Sequence, residues 1–357
     1  MSESQATPNT AEAPTPPLSP KERAGRTPLL DFTQKYAGQI GITIAFVALW
    51  VVFVILAPDT FGQSLIYKSF GQTIPYFGII AMMLTMVIVA GDIDLSFPSV
   101  MALGMVGFVW TWDATGQVWL GILAALGTGA AAGLFNGLVI TIVGLPSLVV
   151  TIGTQFLFRG LTLVLVGGSS YALADTRGDP FRELLVGKLW IGIPGTDIGV
   201  EKVPMEFFWF IGITILAWVL LNRHRLGGNT YVIGDNTQTA RLMGIPIQRT
   251  RITLFVLTGM AAALAGMMMS LQVVNFYPNL GTGLLLPALA AVFVGGTSVF
   301  GGRGSVYGTF IGALMIGAIP AGIVAAGLTD FWTQFIYGGI ILIAISIHAI
   351  LQRRFAR

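Results

Sequence analysis

Residues 205–275 read MEFFWFIGITILAWVLL (205–221), RHRLGGNTYVIGDNTQTARLMGIPIQRTR (223–251) and ITLFVLTGMAAALAGMMMSLQVVN (252–275). Two apolar stretches flank a polar island that holds five arginines and one acid, Asp235. A hydrocarbon core about 30 Å thick takes about 20 helical residues, so each flank suits one crossing. Repeated along the chain, this alternation decides the fold class: all-α, a polytopic membrane protein. Inside the island a short helix-forming run stands between turn residues. Asp235 or Asn236 suits its start, and Gly244 with Pro246 its end. A capped helix of about two turns, held between two spans, is placed to receive a push from a soluble partner. Taken alone, an arginine-rich loop is also what retention of positive charge on the inner face produces.

Composition points the same way. The 357 residues are 54% hydrophobic and 10% charged, with 46 glycines, whereas soluble domains carry roughly a quarter charged residues. Cysteine is absent, which excludes a disulfide, a thiolate metal site and a cysteine nucleophile. His224 and His348 lie at span ends without metal-ligand spacing, so no metal site is expected. A net charge of +3 belongs to loop topology and argues against a nucleic-acid partner. Residues 1–35 hold six of the 17 prolines among Ser, Thr, Ala and charge. Such a segment buries too little apolar surface to order, and a disordered cytoplasmic tail is expected. It lacks the apolar core of a signal peptide, so the first span is expected to be an uncleaved anchor.

About ten transmembrane helices are predicted within a permease domain spanning 36–352: 38–57, 73–90, 98–112, 119–141, 146–167, 205–221, 252–275, 284–296, 305–323 and 331–351. Three are too short or too glycine-broken to cross upright, and such spans are tilted or discontinuous. With the amino terminus inside, the cytoplasmic segments hold Lys21, Arg23, Arg26, Lys35, Arg223, Arg225, Arg241, Arg249, Arg251, Arg303, Arg353, Arg354 and Arg357. The last three belong to a basic cytoplasmic end, 353–357. The outer segments hold Lys68, Arg177, Arg182, Lys188 and Lys202, the last four offset by acids. The positive-inside rule therefore places both termini in the cytoplasm. An acidic outer loop, 168–204, is long for a connection without a role. A structured segment that meets a soluble delivery protein and a solvated rim are equally good readings of it.

Three further stretches carry polar groups inside apolar surroundings. In AGDIDLSFPSV (90–100), Asp92 and Asp94 stand alone near the cytoplasmic end of two spans. Intramembrane carboxylates point to function, but Asp94, Ser96 and Ser99 suit a broken helix whose side chains satisfy freed backbone groups. Asp92, Asp94, Ser96 and Pro98 are assigned to such a structural break. VFVGGTSVFGGRGSVYGTFIGA (292–313) places a second break at Gly295, Gly296, Gly301, Gly302 and Gly304, with Arg303 kept inside. In PSLVVTIGTQFLFRGLTLVLVGG (146–168), Ser147, Thr151, Thr154, Gln155, Arg159 and Thr162 share one helical face. Thr151, Thr154, Gln155 and Arg159 are candidates for a translocation pathway, with Gln272 and Asn275 weaker ones; helix–helix hydrogen bonding is the commoner use of such groups. No glycine-rich loop ends in the Gly-Lys-Ser/Thr of a phosphate-binding loop: the sole Gly-Lys, at Lys188, is followed by Leu189. Energy must come from a partner or an ion. An ion-coupled carrier needs titratable groups near the midplane, and only Arg159 is deep; a channel needs a filter motif that is missing.

Four of these segments, in order, resemble one family. GDIDLSFPS (91–99), GLFNGLVITIVGLPSLVVTIGTQFLFRGL (133–161), YVIGDNTQTARLMGI (231–245) and FVGGTSVFGGRGSVYGT (293–309) are similar to the permease subunits of bacterial ABC importers for monosaccharides, the ribose and xylose type. The resemblance implies an ABC importer permease architecture, a non-catalytic subunit that passes a monosaccharide or similar polyol inward. It implies a second permease copy (identical or paralogous), a cytoplasmic ABC ATPase that binds ATP and Mg, and a sugar-binding protein on the outer face. No cofactor is implied for this chain itself. By motif position Asn236, Thr239, Ala240, Arg241, Gly244 and Ile245, within a coupling loop at 223–251, dock on the ATPase. Permeases for branched-chain amino acids or nucleosides share related folds and are the alternative. The chain departs from the family's pattern where Asp92 replaces a frequent Gly, Phe97-Pro98 replaces Val-Gly, and Thr239 replaces the first Ala of a pair.

Overall fold

A computed structural model describes residues 28–192, 199–329 and 331–355. The chain is almost wholly helical. In order run α1 (Pro28–Leu56), the short α2 (Pro58–Phe61), α3 (Ser64–Val89), α4 (Phe97–Thr115), α5 (Val118–Leu138) and α6 (Ser147–Leu165). A wide π turn, Val139–Val143, extends α5. After α7 (Pro180–Val186) come α8 (Met205–Asn222), α9 (Arg225–Asp235), α10 (Thr237–Leu242), α11 (Ile247–Val273), α12 (Leu285–Val294), α13 (Val306–Ala325) and α14 (Phe331–Phe355). Among the described residues, seven helices are long and apolar enough to cross a membrane: α1, α3, α5 with its π turn, α6, α8, α11 and α13. At 10 residues, α12 reaches only about 15 Å and depends on flanking backbone to complete a crossing.

The helices fall where the apolar stretches predict them, with three differences. The second span begins at Ser64, not at residue 73, because Tyr67, Lys68 and Gln72 are polar on only part of each turn and α3 absorbs them. Helix α1 begins at Pro28, inside the stretch expected to be tail; residues 1–27 lie outside the described residues. The polar island holds two helices where the turn residues suggested one. Leu226, Thr230 and Ile233 share the face that α9 turns to the bundle, a pattern masked in the sequence by Gly227, Gly228 and Gly234.

The core is built on α3, α4, α5 and α11. From Ile74 to Ala90 every residue of α3 is buried, as expected for a helix apolar on all sides. Small residues set the closest approach. Gly129, Gly133 and Gly137 of α5 lie on the backbone of Gly259, Phe255 and Ile252 of α11, and a Cβ at Gly133 would collide with the Phe255 carbonyl oxygen. Close backbone contact replaces the hydrophobic driving force that apolar surroundings withhold.

At one end, here termed the arginine-rich end, four connections gather: 90–96, 144–146, the α9–α10 region and 295–305. At the opposite end the described residues of the stretch 168–204 are structured. Its β1 (Tyr171–Ala172) pairs antiparallel with β4 (Asn275–Phe276) beyond α11. A hairpin of β2 (Lys188–Gly192) and β3 (Gly199–Pro204) leads into α8. Arg182 of α7 donates to the Leu271 carbonyl at 3.0 Å, fastening this region to the end of α11.

Candidate functional site

The arginine-rich end carries the feature most suited to meeting a partner. His224 Nδ1 accepts from the Leu226 amide at 3.1 Å and starts α9. Asn236, not Asp235, caps α10: its side-chain oxygen accepts from the Thr239 amide at 3.0 Å, while Asp235 is the last residue of α9. Gly244, at φ +72°, closes α10 in the left-handed region that a glycine enters without strain. Ala240 faces inward and is fully buried, while Asn236, Thr239, Arg241 and Gly244 are exposed and Ile245 is half-buried. The tip is apolar: Leu242 is 89% exposed and Met243 65%. Position alone did not single out these two. The available signal was an apolar pair between an arginine and the closing glycine.

Helix α9 fixes this tip to the bundle. The Tyr231 hydroxyl donates to the Gly304 carbonyl at 2.9 Å, and burial raises the Tyr231 phenol above its ordinary range. Gly234 lies on the Val89 carbonyl, itself bonded by the Gly302 amide at 2.9 Å. Beside α10 opens a cavity of about 840 Å³ lined by Asp92, Thr141, Thr237, Arg241, Gln248 and Arg251. Within it Arg251 Nε stands 2.9 Å from Asp92 Oδ2. Burial raises the Asp92 carboxyl, and the Arg251 guanidinium and the Ser147 hydroxyl pull it back down. Two charges from distant parts of the chain thus meet in a sheltered place.

From Asp92 the chain runs non-helically to α4, and several of its polar groups are bonded to α5 and α6. The Ile93 amide donates to Ser147 Oγ at 3.0 Å, and Thr151 Oγ1 donates to the Ile93 carbonyl at 3.2 Å. Asp94 Oδ1 accepts from the amide and the hydroxyl of Ser96 at 2.8 and 2.7 Å. Asn136 of α5 donates to the Ser96 hydroxyl at 2.8 Å. Ser99 donates to the Gln155 carbonyl at 2.7 Å. Arg159 then closes the series, donating to the carbonyls of Pro98 at 3.0 Å, Leu280 at 2.9 Å and Pro278. Its partners are backbone oxygens, two from the β4–α12 connection and one, that of Pro98, in the first turn of α4. No carboxylate pairs with it among the described residues.

The second break, 295–305, is held by backbone. Ser298 N bonds the Arg303 carbonyl at 2.9 Å, and Gly296, Gly301 and Gly302 all take positive φ. Gly295 packs on the backbone of Gly308 and Thr309, and Gly304 on Val89 and Thr297. Both breaks thus sit at one end, joined through α9.

The pathway candidates are spread over the bundle. Thr151 and Thr154 are buried, Thr151 against the first break; Gln155 and Arg159 are half-buried beside α4. Gln272 and Asn275 lie half-buried at the opposite end, where Asn275 Oδ1 is enclosed without a hydrogen bond. The described residues do not bring these six into one cavity. Glu206, second residue of α8, counts in the sequence only among the acids that offset the outer basic residues; its burial was not foreseen. It is fully buried with neither carboxylate oxygen bonded, and the signal was a lone acid opening an apolar run.

Comparison with known proteins agrees with the layout. Residues 66–345 match the family described as branched-chain amino acid transport system / permease component. The ribose import permease protein RbsC of Escherichia coli K12 is 32% identical over 315 residues, 88% of this chain and 94% of that protein. The autoinducer 2 import system permease protein LsrD of Salmonella paratyphi A is 28% identical over 312 residues, 87% and 91% of the two chains. Its counterpart from Photorhabdus luminescens is 33% identical over 268 residues, 75% of this chain and 78% of the relative. The chain belongs to the branched-chain amino acid transport system permease family, and is a multi-pass inner-membrane permease subunit of the ABC importer type.

Proposed function

We propose that this chain is the permease of an ATP-driven importer that moves a monosaccharide or similar polyol inward. Its arginine-rich end faces the cytoplasm and so do both termini. A separate ATPase, which binds ATP and Mg, grips α10. A sugar-binding protein delivers solute at the hairpin end, and a second permease copy completes the assembly in the bilayer. The observation that carries this reading is α10 itself. It is a capped helix with an exposed Leu242–Met243 tip, held by Ala240 and Tyr231 to a rigid bundle. An apolar knob with Arg241 beside it suits a groove on a soluble partner that pushes. The ribose and autoinducer 2 relatives favour a sugar-like solute over the amino acid named in the family description.

Reconstituting the permease with its ATPase and binding protein tests both parts. Uptake of radiolabelled ribose, but not of leucine, is the expected result; the reverse would make branched-chain amino acids the cargo. Gly244→Arg, which places a side chain at φ +72°, and Arg241→Glu are expected to leave the protein inserted while uncoupling ATP hydrolysis from uptake. Parent-like uptake in both variants would remove the docking assignment.

A further inference from the structure

The first break and the docking loop are 150 residues apart in sequence, yet one ion pair joins them. Arg251 is in the first turns of α11, nine residues past the tip Leu242, and Asp92 opens the non-helical segment that ends on Arg159. We infer that the Asp92–Arg251 pair is a positioning device for transport: it ties the α10 loop to the segment 92–98, so that displacement of the one moves the other. The inference rests on the docking role proposed for α10.

The geometry supports a pull along this line. The pair is short, at 2.9 Å, and sheltered, with the Asp92 side chain 7% and the Arg251 side chain 23% exposed. A charge pair in such a place resists separation, because each partner left alone is poorly solvated. Beyond Asp92 only residues 93–96 separate the pair from the start of α4, so the segment is short and leaves little slack. It is fastened along its length to α6 through Ser147 and Thr151, and to α5 through Asn136. At its far end the Arg159 guanidinium holds the Pro98 carbonyl and two carbonyls of the β4–α12 connection, Pro278 and Leu280, on a single planar group. A series of discrete contacts thus runs from the arginine-rich end to the connection that follows α11 at the other.

The natural chain has no cysteine, so spin labels at Thr115→Cys, the end of α4, and Thr282→Cys, in the β4–α12 connection, stand alone. Their separation is measured by pulsed electron resonance in the importer assembled with a cysteine-free ATPase, without nucleotide and with ATP and vanadate. The parent is expected to change distance between the two states. Asp92→Asn and Arg251→Gln are expected to cut that change to less than about half while hydrolysis stays within about twofold, as for a coupling residue outside the ATP site. The exchange Asp92→Arg with Arg251→Asp is expected to restore it. Single variants that respond like the parent, or an exchange that restores nothing, would overturn the tie. A parent that ignores nucleotide would overturn the ATP-driven reading and the tie with it.

Discussion

The chain breaks its helices twice at the same end, and the two breaks are held by different chemistry. Segment 91–96 is secured by side chains: Asp94 on Ser96, Asn136 on Ser96, Ser147 on Ile93 and Arg251 on Asp92. Segment 295–305 is secured by the absence of side chains, with Gly295 against Gly308, and Gly301 and Gly302 against Gly91 and Asp235. A side-chain network is adjustable, since one hydrogen bond lost leaves others in place. A backbone-on-backbone contact has no slack, because any Cβ must displace a peptide. The difference suits a moving bundle in which one break flexes and the other is a fixed point. Helix α9 touches both, through Gly234 on Val89 and Tyr231 on Gly304, so the docking loop is seated where the two meet.

The largest effect is expected at the glycine break. In Gly308→Val the new Cβ would collide with the Gly295 carbonyl oxygen, a backbone atom that cannot rotate away. Overpacking of this kind costs about 3 kcal/mol or more where nothing flexible gives way. Loss of monodisperse protein on size-exclusion chromatography, or a large fall in its melting temperature, is the expected result. Gly153→Ala on α6 is the comparison, since nothing lies within 4 Å of a Cβ there and no loss is expected. A stable Gly308→Val protein would show that this break is as pliable as the other.

A smaller effect is expected at the side-chain break. Asn136 is fully buried and its amide donates to the Ser96 hydroxyl, which in turn donates to Asp94. Asn136→Ala removes one member and leaves the hydroxyl and carboxylate bonded to each other, so about 1–3 kcal/mol is expected. Thermal unfolding in detergent would read this as a modest shift with the protein still folded. A loss as large as that of Gly308→Val would erase the distinction between the breaks.

Much of this was legible before the structure. The glycines at 295, 296, 301, 302 and 304 read as a break, because five within ten residues forfeit helix propensity. Asp94 with Ser96 likewise read as a local polar closure, which is what formed. Partners across the sequence were hidden. Nothing near Asp92 names Arg251, and nothing near Arg159 says that its partners are carbonyls of residues about 60 and 120 positions away. Free backbone oxygens leave no mark in a sequence, whereas a missing carboxylate does. Helix α9 was missed for a different reason: three glycines lower its helix propensity, and contacts to both breaks help to hold its buried face in place.

The smallest effect is expected outside both breaks, at the cap of α10, and it separates anchoring from presentation. Asn236 is exposed and touches neither break; its side chain accepts one hydrogen bond, from Thr239 N. With only six residues, α10 has few intrahelical bonds, so its order depends on that cap and on Ala240 packed beneath. Asn236→Ala is expected to cost about 1 kcal/mol of local helix stability and nothing of the bundle's. Asp accepts the same bond, so Asn236→Asp is expected to keep most of it. Faster amide exchange confined to 237–242, with about fivefold weaker ATPase binding, would follow in the alanine variant if the partner must find the helix already formed. Unchanged binding with faster exchange would mean that the partner orders α10 as it docks. The fixed part of the site would then end at Tyr231 and Gly234, where α9 meets the two breaks.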